Sequence, residues 1–117
     1  MPANYRILAD GNFTLSAGQD FPFNFALPDG VILTGDQRPI LAFLVRPNPA
    51  PGGTFQFRVD CNGSAQVTPT MGGDEKGGFW EVVNNNVAQV GQNTIQFRAV
   101  FGSGSVTFSD VVLWFHT

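Results

Sequence analysis

Charged residues are scarce in this chain of 117 residues. Asp, Glu, Lys and Arg together make up 13% of it, about half the usual share of a soluble domain. The six basic residues are scattered and the net charge is -3, which leaves no basic footprint for a phosphate backbone and disfavours nucleic-acid binding. The polar surface must therefore be mostly uncharged.

Cysteine and histidine each occur once, as Cys61 and His116. A single cysteine excludes an intrachain disulfide and a zinc site built from thiolates. His116 is not accompanied by a serine in a nucleophile-elbow context, so a catalytic triad is not expected. The adjacent acidic residues Asp74 and Glu75 lie among glycines and are expected in a solvated loop. The sequence thus predicts a protein that is not an enzyme and has no cofactor.

Long apolar runs are also lacking. The longest, residues 40–45, has six residues, whereas a membrane-spanning helix needs about 20, so no membrane span is expected. The residues after Met1 show neither the basic nor the apolar region of a signal peptide. We expect synthesis in the cytoplasm, while later release or assembly into a particle stays open.

Turn-forming residues and phenylalanine are abundant, with 14 Gly, 8 Pro and 12 Phe. This composition favours short strands joined by tight turns and predicts one all-β domain over residues 1–117, an antiparallel β-sandwich of about eight strands. Strand-like runs occur at residues 5–8, 13–15, 21–27, 31–33, 40–46, 54–60, 65–68, 79–83, 94–101 and 105–115. Residues 84–90 predict a loop, and the prolines of residues 47–53 predict a connection that cannot pair as a strand.

Alternation of apolar and polar residues assigns the faces of these strands. Phe21, Phe23, Phe25 and Leu27 are expected on one buried face, and the same period directs most of the other phenylalanines inward. In the last strand the inward parity changes between Phe108 and Val111, which predicts a β-bulge near Ser109 and Asp110.

Residues 87–97, Val-Ala-Gln-Val-Gly-Gln-Asn-Thr-Ile-Gln-Phe, resemble the turn into a central strand of galactose-binding-like jelly-roll domains. Residues 57–63 are similar to the strand and Asn-Gly hairpin of those domains, and residues 108–114 to their closing strand. Gly91 would permit the tight turn, and the Asn93 side chain would bind nearby backbone. The resemblance implies a jelly roll of the carbohydrate-binding-module type. It also implies a structural calcium ion near Asp110, although no amino-terminal acidic partner is evident.

Six residues are candidates for ligand binding. Sugar sites combine aromatic platforms with planar polar side chains that hydrogen-bond to vicinal hydroxyls, which selects Gln56, Arg58, Gln96, Arg98, Trp80 and Trp114. Alternatively, Arg58 and Arg98 pair with Asp60 on an ordinary solvated face. Trp80 has the alternative of packing over the core edge, and Trp114 that of being covered by a neighbouring strand or another subunit.

Two functions fit these observations. The first is a non-catalytic, lectin-like binding module with carbohydrate as its ligand. The second is a structural subunit, such as a phage capsid decoration protein, because a charge-poor sandwich with outward apolar residues on its last strand favours self-association or a protein partner. The sequence therefore predicts a carbohydrate or protein partner and a homo-oligomer or larger assembly.

Overall fold

A computed structural model describes residues 3–72, 75 and 77–117, and within these the chain folds into two antiparallel β-sheets with no α-helix. No helix among the described residues is long and apolar enough to cross a membrane. A 3-10 turn covers Gly35–Gln37. The strands are β1 (Ala3–Ser16), β2 (Asp20–Leu27), β3 (Ile40–Pro49), β4 (Thr54–Cys61), β5 (Ser64–Val67), β6 (Thr70–Gly72), β7 (Gly77–Val82), β8 (Gly91–Gly102) and β9 (Gly104–His116).

The strand order is that of a jelly roll. Sheet A has the order β1-β9-β3-β7, and sheet B has the order β2-β8-β4-β5, with β6 also paired to β4. Successive strands from β1 to β4, and again from β7 to β9, alternate between the two sheets, so that the chain crosses repeatedly from one sheet to the other. This is the double Greek key of the jelly-roll architecture. The predicted all-β sandwich is confirmed. The additional short strand β6 accounts for nine strands instead of eight.

The core lies between the sheets and is rich in phenylalanine. Seven of the twelve phenylalanines are buried, and each contributes about 1.5 to 3 kcal/mol through burial. At its centre the ring centroids of Phe97 and Phe108 are 4.7 Å apart, and those of Phe57 and Phe108 are 5.0 Å apart. These contacts join a strand of each sheet, and the alternation predicted for β4 is confirmed. In β8 it is confirmed as far as Ala99, but Phe101, which the same period directs inward, is 54% exposed.

Strand β2 departs from its predicted burial. Phe25 and Leu27 are buried as expected, but Phe21 is 41% exposed and Phe23 is half-buried. Because β2 is the edge strand of sheet B, the rings of Phe21 and Phe23 stack on each other and contact the Phe13 ring at an angle, at the open side of the sandwich. Alternation thus assigns the face of a residue but not its depth beneath that face.

The prediction that residues 47–53 cannot pair as a strand is wrong for the first part of the segment. Strand β3 pairs with β9 as far as Pro49 opposite Gly104. Within the part of the chain that the structure describes, its pairing with β7 ends at Val45, so β3 has no strand on that side where Pro47 and Pro49 occur, and edge strands tolerate missing N–H donors. Gly104, at φ +95°, permits this close approach because a Cβ atom there would collide with the Asn48 carbonyl oxygen.

Other local predictions have mixed outcomes. The bulge near Ser109 and Asp110 is confirmed, because Ala42 pairs with Val112 whereas Leu44 pairs with Ser109, and this leaves an extra residue on β9. Residues 31–33 are not a strand. Residues 84–90 form a loop, as predicted.

The predicted turn at Gly91 and Asn93 is confirmed. Gly91 has φ +87°, and Asn93 is only 2% exposed. The Asn93 side chain accepts a hydrogen bond from Gln89 N at 2.8 Å and donates to Gly91 O at 3.0 Å. This buried amide therefore fixes the entry of the chain into β8.

Candidate functional site

The six candidate residues are divided between the two outer faces of the sandwich. The tryptophans project from sheet A, Trp80 on β7 and Trp114 on β9. The Gln/Arg row projects from β4 and β8 on sheet B and consists of Gln56, Arg58, Gln96 and Arg98. The structure thus keeps each set together but does not bring the two sets to one site.

On sheet B, the Gln/Arg row surrounds the carboxylate of Asp60, which is 1% exposed. Arg58 and Arg98 lie directly opposite each other across β4 and β8, an arrangement that is destabilising for like charges. The negative charge of the Asp60 carboxylate offsets this repulsion between the two arginines. Its Oδ2 atom accepts a hydrogen bond from Arg58 Nη2 and another from Arg98 Nε, each at 2.8 Å.

The other Asp60 oxygen makes an ion contact of a different kind. Oδ1 lies 2.8 Å from Arg58 Nε, although the N–H is not aligned for a hydrogen bond. Further along the face, Arg98 Nη2 donates to Gln96 Oε1 at 2.9 Å, and Gln56 Nε2 donates to Thr70 Oγ1 at 3.2 Å. The pairing with Asp60, the alternative interpretation of these arginines, is therefore present, and many of the donors of this face are already engaged.

The outer face of sheet A is apolar over one half. One cross-strand row contains Tyr5, Trp114, Ile40 and Val82, and the next contains Ile7, Val112, Ala42 and Trp80. We call these residues, with Leu44, the apolar half-face. Trp80 is 67% exposed and Trp114 is 37% exposed. Trp80 therefore does not pack over the core edge, whereas Trp114 is partly covered by Tyr5, whose ring centroid lies 5.3 Å away.

Between the two tryptophans lies an open groove of about 220 Å³, which we call the tryptophan groove. The small residues Ala42 and Gly78 keep it open between the two indole rings. The described residues that line it are Ala42, Phe43, Leu44, Gly78, Trp80, Asp110, Val112 and Trp114. The exposed surface of the groove is thus almost entirely apolar, and one of its lining residues carries a carboxylate.

That carboxylate belongs to Asp110, an exposed residue held at φ +53° by the bulge in β9. Calcium requires six to eight oxygen ligands, and Asp110 is the one acidic residue of the groove lining. The described residues contain no group of three or more His, Cys, Asp or Glu side chains placed to hold a metal ion. The residues around Asp110 therefore do not fit the calcium ion that the family resemblance implied.

A second depression adjoins the tryptophan groove on sheet A. It has a volume of about 370 Å³ and shares Leu44 with the tryptophan groove. Its other lining residues are Asn12, Val45, Arg46, Gly77, Thr107 and Ser109. We call it the arginine pocket. The apolar tryptophan groove and the more polar arginine pocket therefore lie next to each other on the outer face of sheet A.

The remaining reactive groups do not form a catalytic centre with these residues. Cys61 is fully buried, and this burial raises the pKa of its thiol to about 11, which keeps it protonated at neutral pH. His116 lies in the last residues of β9, and neither the tryptophan groove nor the arginine pocket includes it. Asp74 lies outside the described residues, and Glu75 is exposed.

Sequence reasoning missed most of the apolar half-face. Only its two tryptophans were candidates, while Tyr5, Ile7 and Leu44 were not. The signal was the apolar run at residues 40–45, because a strand that is apolar at every position is apolar on both faces. Since β3 is buried on one face only, its even-numbered residues Ile40, Ala42 and Leu44 had to lie outward.

Solved structures share this fold. One is dimeric latent PorU from Porphyromonas gingivalis, with a TM-score of 0.66 and 11% identity over 97% of this chain, which spans 12% of the PorU chain. Another is the CBM36-1 domain of a multidomain xylanase from the hindgut metagenome of Trinervitermes trinervoides, with a TM-score of 0.53 and 11% identity over 99% of this chain and 98% of that domain. No family model and no curated protein matches this sequence. The likeness confirms the predicted jelly-roll fold.

Proposed function

We propose that this chain is a non-catalytic carbohydrate-binding module whose ligand lies in the tryptophan groove. The observation that carries the proposal is the pair of outward indole rings, Trp80 and Trp114, on either side of a groove with small residues between them. A pyranose ring has apolar faces of C–H groups and an equatorial rim of hydroxyls. It therefore suits a site that offers both aromatic faces and a polar acceptor.

Asp110 supplies that acceptor. Asp110 is exposed and is one of the residues that line the groove. A carboxylate with free lone pairs accepts charge-assisted hydrogen bonds, which are stronger than those between neutral groups. Asp110 thus orients a sugar that the indole rings hold by contact, and the bulge at φ +53° fixes where the carboxylate is presented.

The shared fold supports the same function. The CBM36-1 domain is similar to this chain over nearly the full length of both. The fold alone does not specify a ligand, so the proposal depends on the tryptophan groove.

The Gln/Arg row of sheet B is a weaker site. Arg58 and Arg98 would have to give up contacts of 2.8 Å with Asp60 before they bound a ligand in the same way. A buried carboxylate that loses its partners costs more free energy than a sugar hydroxyl returns. Binding by this row stays a prediction, and variants of each face distinguish the two sites.

The experiment is a glycan array followed by titration calorimetry with the best glycan. Trp80→Ala and Trp114→Ala are each expected to weaken binding by about 10-fold or more, about 1.4 kcal/mol. Phe101→Ala is the matched control, because Phe101 is an aromatic residue 54% exposed and lies on sheet B. Unchanged affinity in both tryptophan variants, or no glycan bound by the wild-type protein, would contradict the proposal.

A second function, assembly through sheet A, is favoured by the size of the apolar half-face. Tyr5, Ile7 and Trp80 are each more than half exposed on it, and contiguous apolar patches on soluble proteins mark interaction sites. Light scattering tests this candidate. Val82→Lys is expected to dissociate a dimer, whereas Val100→Lys, of similar exposure on sheet B, is expected to leave it intact. A wild-type monomer at all concentrations would exclude it.

A further inference from the structure

The arginine pocket lies beside the tryptophan groove and differs from it in charge. The two depressions share Leu44 at their boundary. Asp110 is among the residues that line the tryptophan groove, whereas the described residues that line the arginine pocket include one guanidinium, Arg46, and no acidic residue. A ligand chain that extends from one depression into the other therefore meets first a negative and then a positive group.

The chain has five arginines, and Arg46 differs from the other four in its contacts. Arg58 and Arg98 pair with Asp60. The other two donate to backbone carbonyls, Arg6 to Ala26 O at 3.3 Å and Arg38 to Val83 O at 2.9 Å. Arg46 is exposed and forms neither a hydrogen bond nor an ion pair with any residue that the structure describes. No described residue therefore engages its donors.

Neutral hydrogen-bonding groups surround this guanidinium. Asn12 and Ser109 face each other across β1 and β9 and both line the pocket. Thr107 lines it too, with its hydroxyl 2.8 Å from that of Thr14. Amide and hydroxyl donors beside a guanidinium that no described residue engages are suited to a planar or tetrahedral oxyanion, which guanidinium binds with two parallel hydrogen bonds.

We infer that the glycan bound in the tryptophan groove carries an anionic substituent, a carboxylate or a sulfate ester, which Arg46 binds in the arginine pocket. This inference rests on the proposed function, because it names the substrate class of the same site. Asp110 sets the direction of the chain, since its charge repels the anionic substituent from the tryptophan groove and Arg46 attracts it. The ligand is then an acidic polysaccharide held in one orientation.

The experiment compares glycans that share a backbone and differ in charge. One pair is oligogalacturonate and its methyl ester, and the other is a sulfated galactan oligosaccharide and its desulfated form. The anionic member of at least one pair is expected to bind about 5-fold more tightly at low salt, with the difference reduced at high salt. The pair that shows this difference identifies the substituent as carboxylate or sulfate.

Variants assign the effect to Arg46. Arg46→Gln is expected to remove the 5-fold preference and to leave the affinity for the neutral member unchanged, while Arg46→Lys retains part of it. Arg6→Gln is the matched control, because it removes the same charge from a residue that lines neither depression. Equal affinity for both members of each pair, or a preference that survives Arg46→Gln, would overturn the inference. In that case tryptophan-dependent binding of neutral glycans would still support the proposed function.

Discussion

The two outer faces of this sandwich differ in how their side chains are satisfied. On sheet B, Asp60 joins Arg58 and Arg98 at 2.8 Å, so the polar groups of that face bind one another. On sheet A, Trp80 and Arg46 are exposed and lie beside open depressions. A face whose groups are engaged internally contributes to stability, whereas a face with unengaged groups is available for binding. The predictions below separate these two roles.

The largest effect is expected for Asp60→Ala. It leaves two facing arginines without their shared carboxylate and should lower the free energy of unfolding by about 2 to 4 kcal/mol. Urea denaturation measures this change. Asp20→Ala is the control, because Asp20 is exposed and its Oδ2 atom lies 3.8 Å from Arg98 Nη1. This variant should lower the free energy of unfolding by less than about 1 kcal/mol. Equal losses in the two variants would contradict a stabilising role specific to Asp60.

A smaller effect is expected within sheet A. Trp114→Ala should lower the free energy of unfolding by about 1 to 2 kcal/mol, because this residue is 37% exposed and contacts Tyr5. Trp80→Ala should change it by less than about 0.5 kcal/mol, because Trp80 is 67% exposed. Thermal or urea unfolding gives both values. If Trp80 proved as important for stability as Trp114, its proposed role as a free binding surface would be wrong.

The smallest effect on glycan binding is expected on sheet B. The double variant Gln56→Ala and Gln96→Ala removes one hydrogen bond to Thr70 and one from Arg98 and should cost about 1 kcal/mol of stability. Glycan affinity, measured by calorimetry, should stay within about 2-fold of wild type. A loss of about 10-fold would move the binding site to the Gln/Arg row and reverse the assignment of the two faces.

The candidate site was predictable in its residue types but not in its arrangement. Alternation placed Trp114 outward, opposite the buried Leu113 and Phe115, and the structure agrees. It also placed Arg58 and Arg98 outward. It did not show that these belong to the opposite side of the protein, because the alternation within a strand does not specify the sheet to which that strand belongs.

The connection between β8 and β9 shows why outward residues of neighbouring strands can lie on opposite sides of the protein. Only Ser103 separates β8 from β9, yet β8 lies in sheet B and β9 in sheet A. A short turn between strands usually makes them hydrogen-bonded neighbours, but here the glycines on either side of Ser103, both at positive φ, carry the chain across to the other sheet. Residues 98 and 114, close in the chain and similar in parity, are thereby separated by the core.

The tertiary structure also decides which of the few charged residues are engaged within the fold. Two of the five arginines are bound to one buried carboxylate and two to backbone carbonyls. Most of the arginines are thus engaged within the fold, and among the described residues Arg46 and Asp110 are the charged residues that line the two depressions of sheet A. The composition shows how few charges there are, but not which of them are available to bind a ligand.

The sequence by itself determined the all-β class, the phenylalanine core and the bulge at Asp110, because these follow from the period-2 pattern of each strand and from where that pattern changes. Only the tertiary structure decided which outward residues share a face. That choice depends on the pairing of strands distant in the chain, such as β1 with β9 and β3 with β7, and such pairing is set by packing across the whole core. The tryptophans, Asp110 and Arg46 come together on sheet A for this reason.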